Sequence, residues 1–200
     1  KKLDNPPKIV VSASAIGFYG NRDDEILNEE SSAGEGFFPE VCQEWEAEGK
    51  KAEEFGARVV LPRIGVVLSK DGGALGKMLT PFKFGVGGKI GSGDQWMSWV
   101  AIDDLVKMIV FSIENEDFEG AFNATAPNPV KNEEFTKTLG EVLNRPTILS
   151  VPSFGIKLLF GEMGETILLE GARILPKKLQ DAGFEFKYPD LTTAFEAELK

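Results

Sequence analysis

Ser12 and Ser14 bracket Ala13 directly after an apolar run, Lys8-Ile9-Val10-Val11. The run reads as a fully buried strand. Small, hydroxyl-bearing residues where such a strand meets a loop leave room for a ligand and offer it hydrogen bonds. The carboxyl edge of an open α/β sheet is where such folds bind ligands. Cys42 and Glu46 make a second pair with chemical content. Spaced i, i+4, they share one face of a helix. A carboxylate beside a thiol raises the thiol's pKa, so the two do not form an activated nucleophile. The chain has no histidine. Its carboxylates show no cluster with ligand spacing, which argues against a metal-dependent reaction.

Strands and helices must hold these groups in place. A strand is expected over about 8–15, then a polar loop over 21–36 rich in Asp, Glu, Ser and Gly. A helix follows over about 37–55, with Phe38, Val41, Cys42 and Trp45 as its apolar stripe. Residues 58–68 read as the next strand, β-branched on both faces as a doubly covered sheet requires. Strand, helix, strand in that order gives a right-handed parallel crossover. From 71 to 93 the chain is glycine-rich, interrupted by a short helix near 75–84. Further helices are expected over 102–115 and 132–143, the first opened by Asp103-Asp104. Strands are expected over 121–124 and 147–151. The tail reads as helices over 153–160, 162–173, 176–182 and 190–199, with Pro176 and Pro189 at first-turn positions. The fold class is therefore α/β, a mostly parallel sheet with a smaller helical C-terminal lobe.

Composition bounds the partners. Two hundred residues, 42% of them hydrophobic, can bury a sizeable core. A net charge of −10 argues against nucleic acid and against an anionic membrane surface. No run of about 18 apolar residues exists to span a bilayer. The single Cys42 excludes an internal disulfide and fits a reducing compartment, the cytoplasm. A small-molecule substrate is expected, and a homodimer is the one protein partner the reading admits. The opening Lys1-Lys2-Leu3-Asp4-Asn5-Pro6-Pro7 lacks an initiator Met and suggests the middle of a longer protein.

Five segments in order resemble a known family. They are Ser12–Gly20; the helix from Phe37-Phe38 to Trp45-Glu46; and Arg63-Ile64-Gly65-Val66-Val67-Leu68 with Gly72-Gly73-Ala74-Leu75. The fourth is Gly91-Ser92-Gly93-Asp94-Gln95 through Trp99 to Asp103-Asp104-Leu105. The fifth is Leu168-Leu169-Glu170-Gly171-Ala172-Arg173 with Gly183-Phe184 and Tyr188-Pro189. The chain resembles the extended short-chain dehydrogenase/reductases. More narrowly, it is similar to the atypical NAD(P)-dependent epimerase/dehydratase-like branch that carries a C-terminal domain of unknown function. The resemblance implies a Rossmann-type sheet and NADP or NAD as cofactor. It also implies a glycine-rich pyrophosphate fingerprint upstream of Lys1. On that basis residues 1–70 are the C-terminal part of the dinucleotide-binding domain. Residues 71–200 are then the substrate-binding lobe, intermixed with the remaining Rossmann elements and a helical C-terminal domain.

In that family a Tyr acts as base, a Ser or Thr polarises the substrate oxygen, and a Lys four residues beyond the Tyr favours the phenolate. Ser14 matches the hydroxyl position. The Tyr and Lys positions fall at Cys42 and Glu46, with Val41 and Trp45 as the alternative register. The pair itself is absent. Ser14 and Cys42 are thus the candidate catalytic positions. Glu46 would accept hydrogen bonds from ribose hydroxyls, and Tyr19 is the nearby phenol that could replace the base. Cofactor contacts are expected from Ser12, Ala13, Cys42, Glu46, Arg63, Ile64, Gly65 and Val66. Gly65 inside a strand suggests close approach of a ligand or of backbone. Substrate contacts are expected from Met78, Phe82, Gln95, Trp96 and Ser98, with Met97 and Trp99 completing an apolar wall. Met97 stands where sugar-nucleotide enzymes place a diphosphate-binding Arg, and Lys77, Lys83 and Lys89 are the other available cations. The implied function is an NAD(P)-dependent nucleoside-diphosphate-sugar epimerase or oxidoreductase. The alternative is a catalytically inactive dinucleotide-binding sensor or interaction module.

Overall fold

The computed structural model describes residues 5–151 and 171–200. Its central sheet is built around β4 (Arg58–Ile64). On one side of β4 run β1 (Ile9–Val11) and β2 (Ser14–Ala15), and on the other β9 (Gly120–Ala124), all parallel to it. The expected strand over 8–15 is interrupted at Ser12-Ala13. Ser12 still keeps the ladder by donating its N–H to the Val60 carbonyl at 3.0 Å. Helix α1 (Phe37–Lys50) joins β2 to β4 and continues as a 3-10 turn over Lys51–Phe55. Val59, Val60 and Leu61 in β4 are buried, as a central strand covered on both faces requires.

The expected strand over 58–68 is divided at Gly65. β4 ends at Ile64, and β5 (Val66–Leu68) pairs in parallel with β8 (Trp99–Ala101). The hydrogen bonds show the exchange of partner. Gly65 donates to the Ala124 carbonyl at the end of β9, and Val66 donates to the Ser98 carbonyl ahead of β8. A Cβ on residue 65 would lie 2.5 Å from the Ser98 oxygen and 2.9 Å from the Thr125 methyl. The close approach anticipated at Gly65 is therefore made by backbone.

Helix α2 (Gly73–Lys83) follows, then β6 (Gly88–Ile90) and β7 (Trp96–Met97). Helix α3 (Ile102–Glu114) carries Asp103 and Asp104 in its first turn, favourable charges at a helix N-terminus. After β9 come β10 (Val130–Lys131), α4 (Asn132–Leu143) and β11 (Leu149–Val151). β11 lies parallel to β6, and β10 antiparallel to β7. Beyond the second described stretch's start, β12 (Arg173–Ile174) lies parallel to β3 (Ile26–Leu27). The chain closes with α5 (Lys177–Asp181) and α6 (Leu191–Leu199). Of the expected tail helices, 153–160 and nearly all of 162–173 lie outside the described residues. The end of the second is corrected, because Arg173 is in a strand. Pro176 caps α5, and Pro189 stands just ahead of the Asp190 cap of α6 rather than in a first helical turn.

Two large apolar clusters hold the layers together. One gathers α3, β8, β9 and α5 through Val100, Leu105, Met108, Phe118, Phe122 and Leu179. The other unites α2, α4 and α6 through Leu75, Met78, Phe82, Trp99, Phe135, Leu139 and Phe195. Each such side chain fully removed from water contributes roughly 1.5–3 kcal/mol. Asp104 joins the tail to α3. Its carboxylate accepts the backbone N–H groups of Lys187 and Tyr188, at 2.9 and 2.8 Å. Among the described residues no helix is long and apolar enough to cross a membrane.

Candidate functional site

The register of β2 against β4 sets Ser14 directly opposite Arg63. Helix α1 brings Glu46 over the same point. The Ser14 hydroxyl donates to Glu46 Oε1 at 2.9 Å. Arg63 grips the same carboxylate at two points, Nε to Oε1 at 2.7 Å and Nη2 to Oε2 at 2.8 Å. All three side chains are buried. The Glu46 carboxylate thus accepts three short hydrogen bonds from protein, which occupies the oxygens expected to take ribose hydroxyls.

The network extends beyond the residues the sequence singled out. Arg63 Nη1 donates to the Tyr19 oxygen at 2.9 Å, and the Tyr19 hydroxyl donates to Asn123 Oδ1 at 2.8 Å. Asn123 in turn donates through Nδ2 to the Leu175 carbonyl and through its backbone N–H to Glu29. The Phe18 ring lies 3.4 Å from the Arg63 guanidinium carbon, a cation–π contact on a desolvated charge. Asn123 was legible only as an amide between Phe122 and Ala124 in an otherwise apolar strand, the kind of buried polar residue that must find partners.

Charge is unevenly settled here. Burial works against the Arg63 cation, but the Glu46 hydrogen bonds and the Tyr19 oxygen outweigh it, and its pKa stands above the ordinary value. Burial raises the Tyr19 phenol, and the pull of Arg63 only partly offsets it. Tyr19 is 0% exposed. It is a structural phenol holding Arg63 and Asn123, not a replacement base open to substrate. Burial also pushes the Cys42 thiol up; contact with the Ala15 backbone eases this, and the Glu46 charge adds to it. The thiol is buried and free. Ser14, Cys42 and Glu46 are thus brought together at the carboxyl end of β2 and β4, as expected.

Other expected contacts divide. Ala13 is exposed, and Ser12, Ile64, Gly65 and Val66 are half-buried around the same strand ends. Met78 and Phe82 are 7% and 2% exposed and belong to the core, so they do not line an opening, and the same holds for Met97 and Trp99. The correction has a simple cause: these apolar side chains of α2, β7 and β8 gather in one buried cluster with those of α4 and α6. Ser98 is buried with its hydroxyl donating to the Ala172 carbonyl and accepting from the Ile174 N–H, which ties β12 to the strand ends. Gln95 donates from Nε2 to the Ile90 carbonyl at 3.2 Å. Trp96 is half-buried and donates from its indole to Asp24 at 2.7 Å. Among the described residues no group of carboxylates or cysteine could hold a metal ion.

Residues 151–198 match the family described as Domain of unknown function (DUF1731). The chain is similar to the chloroplastic epimerase family protein SDR39U1 homolog of Arabidopsis thaliana, 47% identical over 96% of this chain and 54% of that protein. It is 37% identical to epimerase family protein SA0724 of Staphylococcus aureus over 100% of this chain and 67% of that protein. Among solved structures it resembles the human epimerase family protein SDR39U1 with NADPH. That match has a TM-score of 0.90 and 34% identity, over 98% of this chain and 66% of that one. The chain thus spans between about half and two thirds of the length of these relatives. UDP-glucose 4-epimerase from Thermus thermophilus with NAD shares the fold at a TM-score of 0.70 and 17% identity, over 93% of this chain and 61% of that one. With 37% identity over two thirds of the Staphylococcus aureus protein and a fold shared with the human protein, the chain belongs to the epimerase family proteins, an atypical branch of the extended short-chain dehydrogenase/reductases.

Proposed function

We propose that this chain forms the substrate-side part of an NADP(H)- or NAD(H)-dependent epimerase or reductase acting on a small molecule. The observation that carries the reading is the meeting of Ser14, Cys42, Glu46 and Arg63 at the carboxyl ends of two adjacent parallel strands. That edge is where open α/β sheets receive nucleotides. The NADPH in the human relative's structure supports the same cofactor here. The residues present fit the nicotinamide end. Exposed Ala13 and half-buried Ser12, Ile64 and Val66 lie together at these strand ends, and the small Ser12 and Ala13 would admit a flat ring. A bound dinucleotide would supply the hydride.

The chain's own residues then orient and exclude. Arg63 and Glu46 hold the Ser14 hydroxyl in one direction, leaving its oxygen lone pairs for a donor on the ligand. The buried pair also keeps water from beneath the strand ends. Neither the Cys42 thiol nor the Tyr19 phenol is ionised at neutral pH, because burial raises both. That favours a second reading, a dinucleotide-binding sensor without turnover. The proposed compartment is the cytoplasm, and the proposed substrate is a nucleoside-diphosphate sugar or a small carbonyl compound.

The test is NADPH fluorescence titration of this chain fused to the part of the Staphylococcus aureus relative that it does not cover. The Ala13→Trp variant is titrated alongside it. A bulky ring at the strand end should cost at least about tenfold in affinity, the equivalent of roughly 1.4 kcal/mol. Equal binding by both proteins would sink the reading. NADPH oxidation against a panel of carbonyl compounds then separates enzyme from sensor.

A further inference from the structure

Arg173 is a half-buried cation in the segment that leads into α5. Its Nε is buried and has no hydrogen-bond partner. Its guanidinium carbon lies 4.6 Å from the centre of the Trp96 ring, and Lys131 Nζ lies 5.5 Å from the same centre. A chain of net charge −10 thus gathers two cations around one indole. The platform is held firmly. A Cβ on residue 171 would lie 2.2 Å from the Trp96 carbonyl oxygen, so Gly171 lets the β12 segment press against the Trp96 backbone. Trp96 and Lys131 face each other across the β7–β10 pair.

One anion already visits this place, from the chain itself. Asp24, in the loop before β3, accepts the Trp96 indole N–H at 2.7 Å and lies 3.4 Å from Lys131 Nζ. The indole and Lys131 hydrogen bonds hold its carboxyl below its ordinary pKa. Its side chain is otherwise exposed, at 75% of full accessibility, so it can be displaced at little cost. The adjoining turn after Ser14 contacts this region too: Ile16, Phe18 and Tyr19 pack with Ala172 and Ile174, the neighbours of Arg173.

We infer that Trp96, Lys131 and Arg173 form an anion subsite for a carboxylate or phosphate on the ligand, with Asp24 as an internal competitor. The inference rests on the small-molecule reading above and gives that molecule its charge. The planar Arg173 guanidinium suits a carboxylate or a phosphate edge, and Lys131 adds a point charge. Apolar contact with the indole would favour a ligand that carries its anion beside a flat or hydrophobic group.

The experiment uses this chain and three probes: inorganic pyrophosphate, succinate, and neutral succinamide. Binding is followed by the indole N–H resonance of Trp96, assigned with Trp96→Phe, in low salt. One of the two anions should shift that resonance saturably, and which one does so separates phosphate from carboxylate. Removing the competitor with Asp24→Asn should tighten binding about threefold or more. Arg173→Met should weaken it at least about tenfold, as loss of a charge-assisted hydrogen bond would. Arg173→Lys, which keeps the charge, should fall between. Thermal melts of each variant establish that it is folded. Unchanged affinity in folded Arg173→Met, equal shifts by succinamide, or no saturation by either anion in Asp24→Asn would overturn the inference. The NADPH titration does not depend on this subsite, so the two readings can fail separately.

Discussion

Glu46 and Arg63 close a buried two-point ion pair, at 2.7 and 2.8 Å, beneath the strand end that carries Ser14. Glu46 occupies the position where the family resemblance calls for a Lys, and the cation is supplied instead by the neighbouring strand. The sign of the charge on the helix is reversed, while the site as a whole still holds one anion and one cation. A buried pair is costly to half-remove, because the surviving charge is left without partner or water. We expect Glu46→Leu to destabilise the fold by about 3–5 kcal/mol. Adding Arg63→Met to it should restore much of the loss. Urea unfolding of the single and double variants checks this, and a double variant as unstable as the sum of its parts would contradict it.

Tyr19 should behave as a strut. Tyr19→Phe leaves Arg63 Nη1 and Asn123 Oδ1 without their shared partner. The expected cost is roughly 1–3 kcal/mol. Its phenol pKa is raised by burial. The folded state therefore holds the proton more tightly than the unfolded chain. The stabilisation is present below about pH 10, the unfolded value, and is lost as pH rises through the raised folded value. Stability measured across the alkaline range should fall less steeply in Tyr19→Phe than in the parent.

Cys42 should be a slow thiol. Burial and the Glu46 charge keep its thiolate fraction at neutral pH below that of a free cysteine. Iodoacetamide at pH 7.5 should label the native protein far more slowly than the urea-unfolded chain. Labelling of the native protein as fast as that of a small free thiol would show an opening the structure does not contain.

Gly65 should tolerate no side chain. The Ser98 carbonyl and the Thr125 methyl fill the space a Cβ needs. Gly65→Ala should cost about 1–3 kcal/mol by overpacking. It should also weaken cofactor binding only as far as it disturbs the β4–β5 exchange. A thermal melt within experimental error of the parent would show that the strands can part there.

Asp104 should hold the tail. Its carboxylate accepts two backbone N–H groups from Lys187 and Tyr188 while 1% exposed. Asp104→Ala leaves both donors unpaired, at roughly 1–3 kcal/mol. Hydrogen exchange at Lys187 and Tyr188 should accelerate in the variant more than exchange in β4.

Periodicity and residue type alone determined the strand–helix–strand order from β1 through α1 to β4, the bounds of α4 at Asn132–Leu143, and the placing of Ser14 at a strand end. They also placed Cys42 and Glu46 on one helical face, because a 3.6-residue period is a local property of the chain. What Glu46 does there was not legible. Its partner Arg63 is brought to it by strand register, and register is set across the sheet between segments far apart in sequence. Gly65 read equally well as a ligand contact or a backbone contact until β8 and β9 took their places beside it. Met78 and Phe82 carried the right chemistry for a pocket wall, yet they face the core. An apolar side chain's type says that it leaves water, but only the packing of layers decides which surface it leaves water against.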